Sequence, residues 1–269
     1  MPSTLISQSV WNTTRKRHME NRIEKVAIVT GGARGIGRGS ALALADRGFD
    51  IALVDLLHEE AEATANEIRA RGVAAETFEA DVADFARAQD VTDAIISKWG
   101  RVDFLLNNAG RAMPKGLLEI SEAEWDRTID INLKGCFNWC RAVTPAMQHA
   151  GAGRIVSISS VNAYTGGVTS AVSKFAYAAA KAGILGLTRS LAKELAPDIT
   201  VNAICPGVIE TEATSGMIGA RRDELVAGIA LERLGTPEDV GTLVAFMATV
   251  EPNFITGQAI TVDGFQWVI

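Results

Sequence analysis

From Val26 onward, short β-branched apolar runs alternate with longer amphipathic stretches, and this alternation limits the fold more than any other feature of the chain. Val26–Thr30 reads as a buried strand and Gly37–Arg47 as the helix after it. Asp50–Asp55 follows as a second strand, then a charged helix over Glu59–Arg71. Glu76–Glu79 is a weaker third strand, with a helix from Asp84 to Trp99 behind it. Arg101–Leu106, Arg154–Ile158, Ile199–Cys205 and Gln258–Val262 complete seven strands. Ser121-Glu-Ala-Glu124 is a capping box and predicts one long helix reaching about His149. A further helix is expected over Ser173–Leu195. Thr236-Pro237 sets a cap residue before a proline at the first helical position, opening a helix to about Ala248. Apolar strands separated by helices imply a mostly parallel sheet covered on both faces. The expectation is an α/β chain with a single doubly wound domain over residues 23–269, its seven-stranded sheet flanked by helices, after a flexible extension over residues 1–22. Such a sheet binds ligands outside the carboxyl ends of its strands, where strand order reverses.

The formal net charge is −6, and no basic stripe exists beyond Arg15-Lys16-Arg17, so a nucleic-acid partner is not expected. No apolar run approaches the roughly 20 residues of a membrane helix. Cys136 and Cys140 lie four apart, yet His18, His58 and His149 offer no ligand spacing around them. The three cysteines, with Cys205, read as small buried hydrophobes without a metal, and their odd number suits a reducing, cytoplasmic setting. The first eighteen residues are rich in Ser, Thr and Arg and lack acids, as a transit peptide would be. Met19 stands just before the first strand, and a flexible extension is the preferred reading.

Thr30-Gly-Gly-Ala-Arg-Gly-Ile-Gly37 joins the first strand to its helix. Glycines allow a tight turn and close approach of a ligand, and the helix start offers free N–H groups and a positive dipole end to a pyrophosphate. Gly31, Arg34, Gly35, Ile36 and Gly37 are therefore candidate dinucleotide contacts, although a glycine-rich turn can also be purely structural. Asp55 ends the second strand, 18 positions after Gly37, where an acid can accept hydrogen bonds from ribose hydroxyls. Two like charges about 4 Å apart at an effective dielectric near 20 cost up to about 4 kcal/mol, so Asp55 repels a 2′-phosphate and favours NAD over NADP. Arg34 is the counterweight, and Asp55 as a plain strand-end turn residue is the bland alternative.

Tyr177-Ala-Ala-Ala-Lys181 places a phenol and an ammonium on one helical face. A free tyrosine, with a pKa near 10, is a poor base at neutral pH. A cation about 4–5 Å away favours the phenolate by roughly 3–4 kcal/mol at a dielectric near 20, which brings the phenol toward working pH. The other tyrosine, Tyr164, has no lysine four positions later.

With these motifs stand Asn107-Asn-Ala-Gly110, Asn132 in Ile-Asn-Leu-Lys-Gly, Ser159-Ser160, Pro206-Gly-Val-Ile-Glu-Thr211, Gly257 and Asp263-Gly264, in that order. Together they resemble the short-chain dehydrogenases/reductases, over about Glu24 to Gly264. The resemblance implies a Rossmann-type catalytic domain and a four-residue relay. Tyr177 would exchange the substrate proton, Lys181 would assist it and bind the nicotinamide ribose, Ser160 would hold the substrate oxygen, and Asn132 would position a water. Asp81 and Val82 would border the adenine, Asn108 the adjacent ribose, and Ile209 and Thr211 the carboxamide and phosphates. Ala109, Gly110, Pro206 and Gly207 would complete the cofactor contacts. Asn132 as a mere brace, Ser159 in place of Ser160, and Thr211 as a simple cap stay open. Ser160 precedes Tyr177 by 17 positions, longer than usual for the family, and the interval reads as an inserted loop. Residues 210–234 resemble the family's mobile substrate lid, in which Arg221-Arg222 reads as a solvated face sooner than an anion site. With the NAD preference resting on Asp55, the resemblance implies an enzyme interconverting a small polar secondary alcohol, polyol or sugar and its ketone, as a homotetramer joined through the two long helices. A reductase of a 3-oxoacyl thioester is the alternative. A catalytically silent NAD-binding partner protein is the alternative of another class, and the presence of all four relay residues speaks against it.

Overall fold

The computed structural model describes residues 25–167 and 173–266. Seven strands form one sheet in the order β3-β2-β1-β4-β5-β6-β7: β1 (Val26–Thr30), β2 (Asp50–Asp55), β3 (Ala75–Glu79), β4 (Phe104–Asn107), β5 (Gly153–Ile158), β6 (Ile199–Pro206) and β7 (Ala259–Val262). Every pairing is parallel. The order reverses between β1 and β4, which are hydrogen-bonded neighbours through Ala27–Phe104, Ile28–Leu105 and Val29–Leu106.

Period-two side-chain alternation sends each strand's residues to opposite faces. Ala27 and Val29 of β1 pack with α1 (Gly35–Ala45), α2 (His58–Arg69) and α7 (Pro237–Thr249), around Leu44, Ile68 and Val244. Val26 and Ile28 enter the opposite core with α3 (Phe85–Trp99) and α5 (Gly135–Ala150), around Ile95, Trp139 and Met147. On that same side α6 (Phe175–Glu194) covers β6 through Ile184, Leu185, Ala203 and Cys205.

Two expectations are corrected. The fourth strand starts at Phe104, not Arg101. Asp103 Oδ2 accepts the Val26 N–H at 2.8 Å, and the same carboxylate takes a paired Arg101 guanidinium, so Arg101–Asp103 clamp the amino ends of β1 and β4. The single long helix after Ser121 is broken into α4 (Glu122–Ile129), a π-helical turn (Asp130–Lys134) and α5. Both halves of the Ser121/Glu124 capping box form. The widening centres on Asn132, whose Nδ2 donates to Thr128 O at 3.0 Å, while Gly135 N–H reaches back five residues to Asp130 O. Wide turns of this kind concentrate at functional sites.

No helix among the described residues is long and apolar enough to cross a membrane, and no group of three or more metal-ligating side chains occurs among them. Cys136, Cys140 and Cys205 are free and buried, and burial pushes the Cys140 thiol up to about 12. The expected extension over residues 1–22 and part of the expected inserted loop, residues 168–172, lie outside the described residues.

Candidate active site

A cleft of about 600 Å³ opens at the carboxyl ends of β1, β2 and β4, beside the reversal of strand order. Gly31 turns the chain out of β1 with φ +65°, and its N–H donates to Val54 O at 2.7 Å. The turn then folds on itself so tightly that a Cβ on Gly37 would lie 1.9 Å from Gly31 O. Bare backbone beside a helix start suits a pyrophosphate, because free N–H groups and the dipole both face it. Gly31, Arg34, Gly35 and Ile36 line the cleft, whereas Gly37 shapes the turn from behind.

The polar residues around this turn are braced. Asp55 accepts the Ala33 N–H at 3.0 Å and the Leu57 N–H at 3.1 Å, so it ties the end of β2 to the glycine turn and still borders the cleft. Asn108 Nδ2 donates to Thr30 O and Gly31 O at 3.0 and 2.9 Å, clipping β4 to the same turn. Asp81 accepts from Ala83 N–H at 3.0 Å and from Arg127 Nη2 at 2.6 Å. Burial alone would raise its carboxyl, but the Ala83 amide and the Arg127 guanidinium outweigh it and hold the group below its ordinary value. Val82, Ala109 and Gly110 complete this wall.

At the other end, α6 brings Tyr177 and Lys181 to the cleft one helical turn apart. Lys181 is buried, its Nζ donates to Ile158 O at 2.8 Å, and it stands 5.5 Å from the centre of the Tyr177 ring. A Cβ on Gly110 would come within 2.9 Å of Asn132 Oδ1 and 3.5 Å of Lys181 Nζ, so the glycine keeps this corner open. Asn132 is fully buried and holds the Arg111 peptide from both sides, accepting from its N–H at 3.1 Å and donating to its carbonyl at 3.0 Å. Farther along, Met113 O accepts the Lys174 N–H at 2.7 Å. Residues 110–113 therefore run alongside the first half of α6, past Tyr177.

Ser159 Oγ donates to the Lys181 carbonyl at 2.8 Å, which commits that hydroxyl to bracing α6. Ser160 Oγ accepts the Asn162 N–H at 3.1 Å at the end of β5. Asn132 is fully buried and Ser160 half-buried, and neither is among the residues that line the cleft. Pro206, Gly207 and Ile209 do not line the cleft either: a Cβ on Gly207 would meet Asp263, and Ile209 is buried in a bridge to Gly235. Thr211 does line it, with its N–H donated to Thr214 Oγ1 at 2.8 Å. Beyond it, Arg221 pairs with Glu224 and Arg222 with Glu210, while Ile218, Ile229 and Leu234 form a small apolar cluster.

Sequence reasoning missed Arg111, Arg127, Ile131 and Glu212 on the cleft. Arg127 reaches Asp81 across 46 positions and Glu212 reaches Gly35 across 177, separations that carry no local spacing signal. Arg111 had one: it follows Asn107-Asn-Ala-Gly110 directly.

A family model described as enoyl-(acyl carrier protein) reductase matches residues 31–264. A 3-oxoacyl-[acyl-carrier-protein] reductase of Staphylococcus aureus is 40% identical over 249 residues, covering 92% of this chain and all of the relative. One of the same name from Thermotoga maritima is 36% identical over 241 residues, 89% of this chain and 96% of the relative. Among solved structures, a short-chain dehydrogenase/reductase from Brucella melitensis titled glucose/ribitol dehydrogenase superposes with a TM-score of 0.83 at 33% identity, covering 91% of this chain and 97% of that one. The all-parallel sheet with its reversal at β1 and β4, the glycine turn and the Tyr177/Lys181 pair agree with these likenesses, and the chain belongs to the short-chain dehydrogenase/reductase family of nicotinamide-dependent oxidoreductases, which act at CH–OH and keto groups.

Proposed function

We propose that this enzyme reduces the ketone of a 3-oxoacyl thioester to a secondary alcohol, with Tyr177 as the proton donor. The observation that carries the reading is the convergence of Tyr177 and Lys181 on the cleft beside the glycine turn, in a chain similar along nearly its whole length to 3-oxoacyl-thioester reductases. The glycine turn and the open corner at Gly110 fit a dinucleotide laid from Asp55 to Tyr177. When bound, the nicotinamide supplies hydride in reduction and accepts it in oxidation.

The protein's own residues handle the proton. Tyr177 gives its phenolic proton to the substrate oxygen as that oxygen gains charge, and Lys181, one turn away in a buried position, stabilises the phenolate left behind. Ser160 Oγ accepts the Asn162 N–H, which leaves its own O–H to donate to the substrate oxygen. Asn132 acts as a positioning residue, fixing the Arg111 peptide and the wide turn behind Lys181. Asp55 favours NAD, because a 2′-phosphate would sit against its carboxylate. Residues 210–234 serve as the substrate lid.

A second reading, oxidation of a polar secondary alcohol such as a polyol or sugar, is favoured by the likeness to the Brucella protein. Absorbance at 340 nm decides between them, with both cofactors offered against 3-oxoacyl thioesters, simple ketones and a panel of polyols. The 3-oxoacyl thioesters are expected to give the highest kcat/KM. Tyr177→Phe is expected to lower kcat by about 10²- to 10⁴-fold. Wild-type turnover confined to polyols would transfer the assignment to the second reading, and undiminished turnover by the Phe variant would remove Tyr177 from the chemistry. The enzyme is assigned to the cytoplasm, and its assembly to a homotetramer joined through α5 and α6.

A further inference from the structure

The first turn of α1 has free backbone N–H groups, no acidic residue, and an N-cap, Arg34, whose side chain makes no capping bond. Its cap comes from elsewhere in the chain: the Gly35 N–H donates to Glu212 Oε2 at 3.1 Å, from the segment that follows β6. We propose that Glu212 is an internal competitor for the pyrophosphate of the dinucleotide, a residue that sets cofactor affinity by occupying the same helix start. This rests on the dinucleotide-binding reading of the cleft given above.

Three observations point this way. The carboxylate is delivered by a braced turn, since Thr214 Oγ1 accepts the Thr211 N–H at 2.8 Å and donates to Ile209 O at 2.8 Å. That turn lies directly on the glycine loop, where a Cβ on Gly35 would be 3.3 Å from Thr211 Cγ2. Finally, among the described residues the Glu212 carboxylate forms no ion pair and takes the amide at the helix start. An anion at a helix N-terminus is stabilised by the dipole and by the N–H it accepts. A carboxylate and a pyrophosphate cannot share that place without strong repulsion. Entry of the dinucleotide must therefore displace Glu212, and with it the start of the segment assigned as the lid. Departure of the dinucleotide is met by Glu212 returning to the amide.

The test measures dissociation constants by titration calorimetry on the full chain, for wild type, Glu212→Gln and Glu212→Ala. The probes are NADH and ADP-ribose, which carry a pyrophosphate, and adenosine, which does not. Both variants are expected to bind NADH and ADP-ribose about 3- to 10-fold more tightly, the size of an exposed charge-assisted contact, with adenosine unchanged. Affinities for NADH and ADP-ribose that stay the same or weaken would overturn the proposal, as would an equal gain for adenosine. The two readings fail differently. A wild-type chain that binds none of these probes would remove the dinucleotide reading itself, whereas binding without tightening removes only the role of Glu212.

Discussion

Tyr177 and Lys181 needed only a local ruler to be found, because four positions along a helix always return to one face. Asp55 was similarly readable as the last residue of a strand, but its full role was not. It also caps the Ala33 and Leu57 amides, so its carboxylate both shapes the turn and faces the cleft. Asp55→Asn is expected to shift the ratio of kcat/KM for NAD over NADP toward NADP by about tenfold or more, since the charge opposing a 2′-phosphate is gone. Steady-state kinetics with both cofactors check this, and an unmoved ratio would mean that Arg34 or another group sets the preference. Asn132 marks the limit of local reading. Its spacing within Ile-Asn-Leu-Lys-Gly says nothing of the Arg111 peptide it grips, 21 positions away.

At the scale of elements, the central strands β1, β2 and β4 were legible because they are buried on both faces and so are largely apolar, whereas β3, half-buried and polar at three of its five positions, gave a weaker signal. Their ends were less so, since Asp103 stops β4 by bonding a neighbouring strand's amide. The contact between α1 and α7 depends on two glycines that no periodicity singles out. A Cβ on Gly241 would lie 2.8 Å from Gly39 O, backbone that cannot swing aside. Gly241→Ala is therefore expected to destabilise the fold by roughly 1–3 kcal/mol through overpacking, read as a lower urea midpoint. The start of α7 also predicts a pH effect. Asp239 accepts from the Arg233 guanidinium at 2.7 and 2.8 Å and closes the capping box with Thr236. Arg233 and the Thr236 amide, acting against burial, hold its carboxyl at about 2, below its ordinary 3.8. A carboxyl depressed on folding adds stability above its unfolded pKa, and that stability is lost as pH falls from 3.8 toward 2. Melting temperatures of wild type and Asp239→Asn should differ at neutral pH and converge in that acid window.

For the whole molecule, assembly is the open consequence. Phe85 of α3 and Phe137 of α5 stack with ring centres 6.0 Å apart while remaining 49% and 45% exposed. A stacked apolar pair beside α5 suits the proposed contact between copies. Phe137→Glu is expected to lower the mass measured by light scattering from that of a tetramer to a smaller species. A wild-type chain already monomeric at micromolar concentration would dismiss the assembly.

The linear order of residues dictated a covered parallel sheet, a helix beginning after bare glycines, and a phenol beside an ammonium, because each follows from periodicity or from neighbours within one turn. Folding alone settled which strands lie side by side, why the helix after Ser121 widens at Asn132, and how Arg127 and Glu212 arrive at Asp81 and Gly35. Those partners are separated by tens to hundreds of positions, and a contact of that kind exists only once the intervening chain has packed.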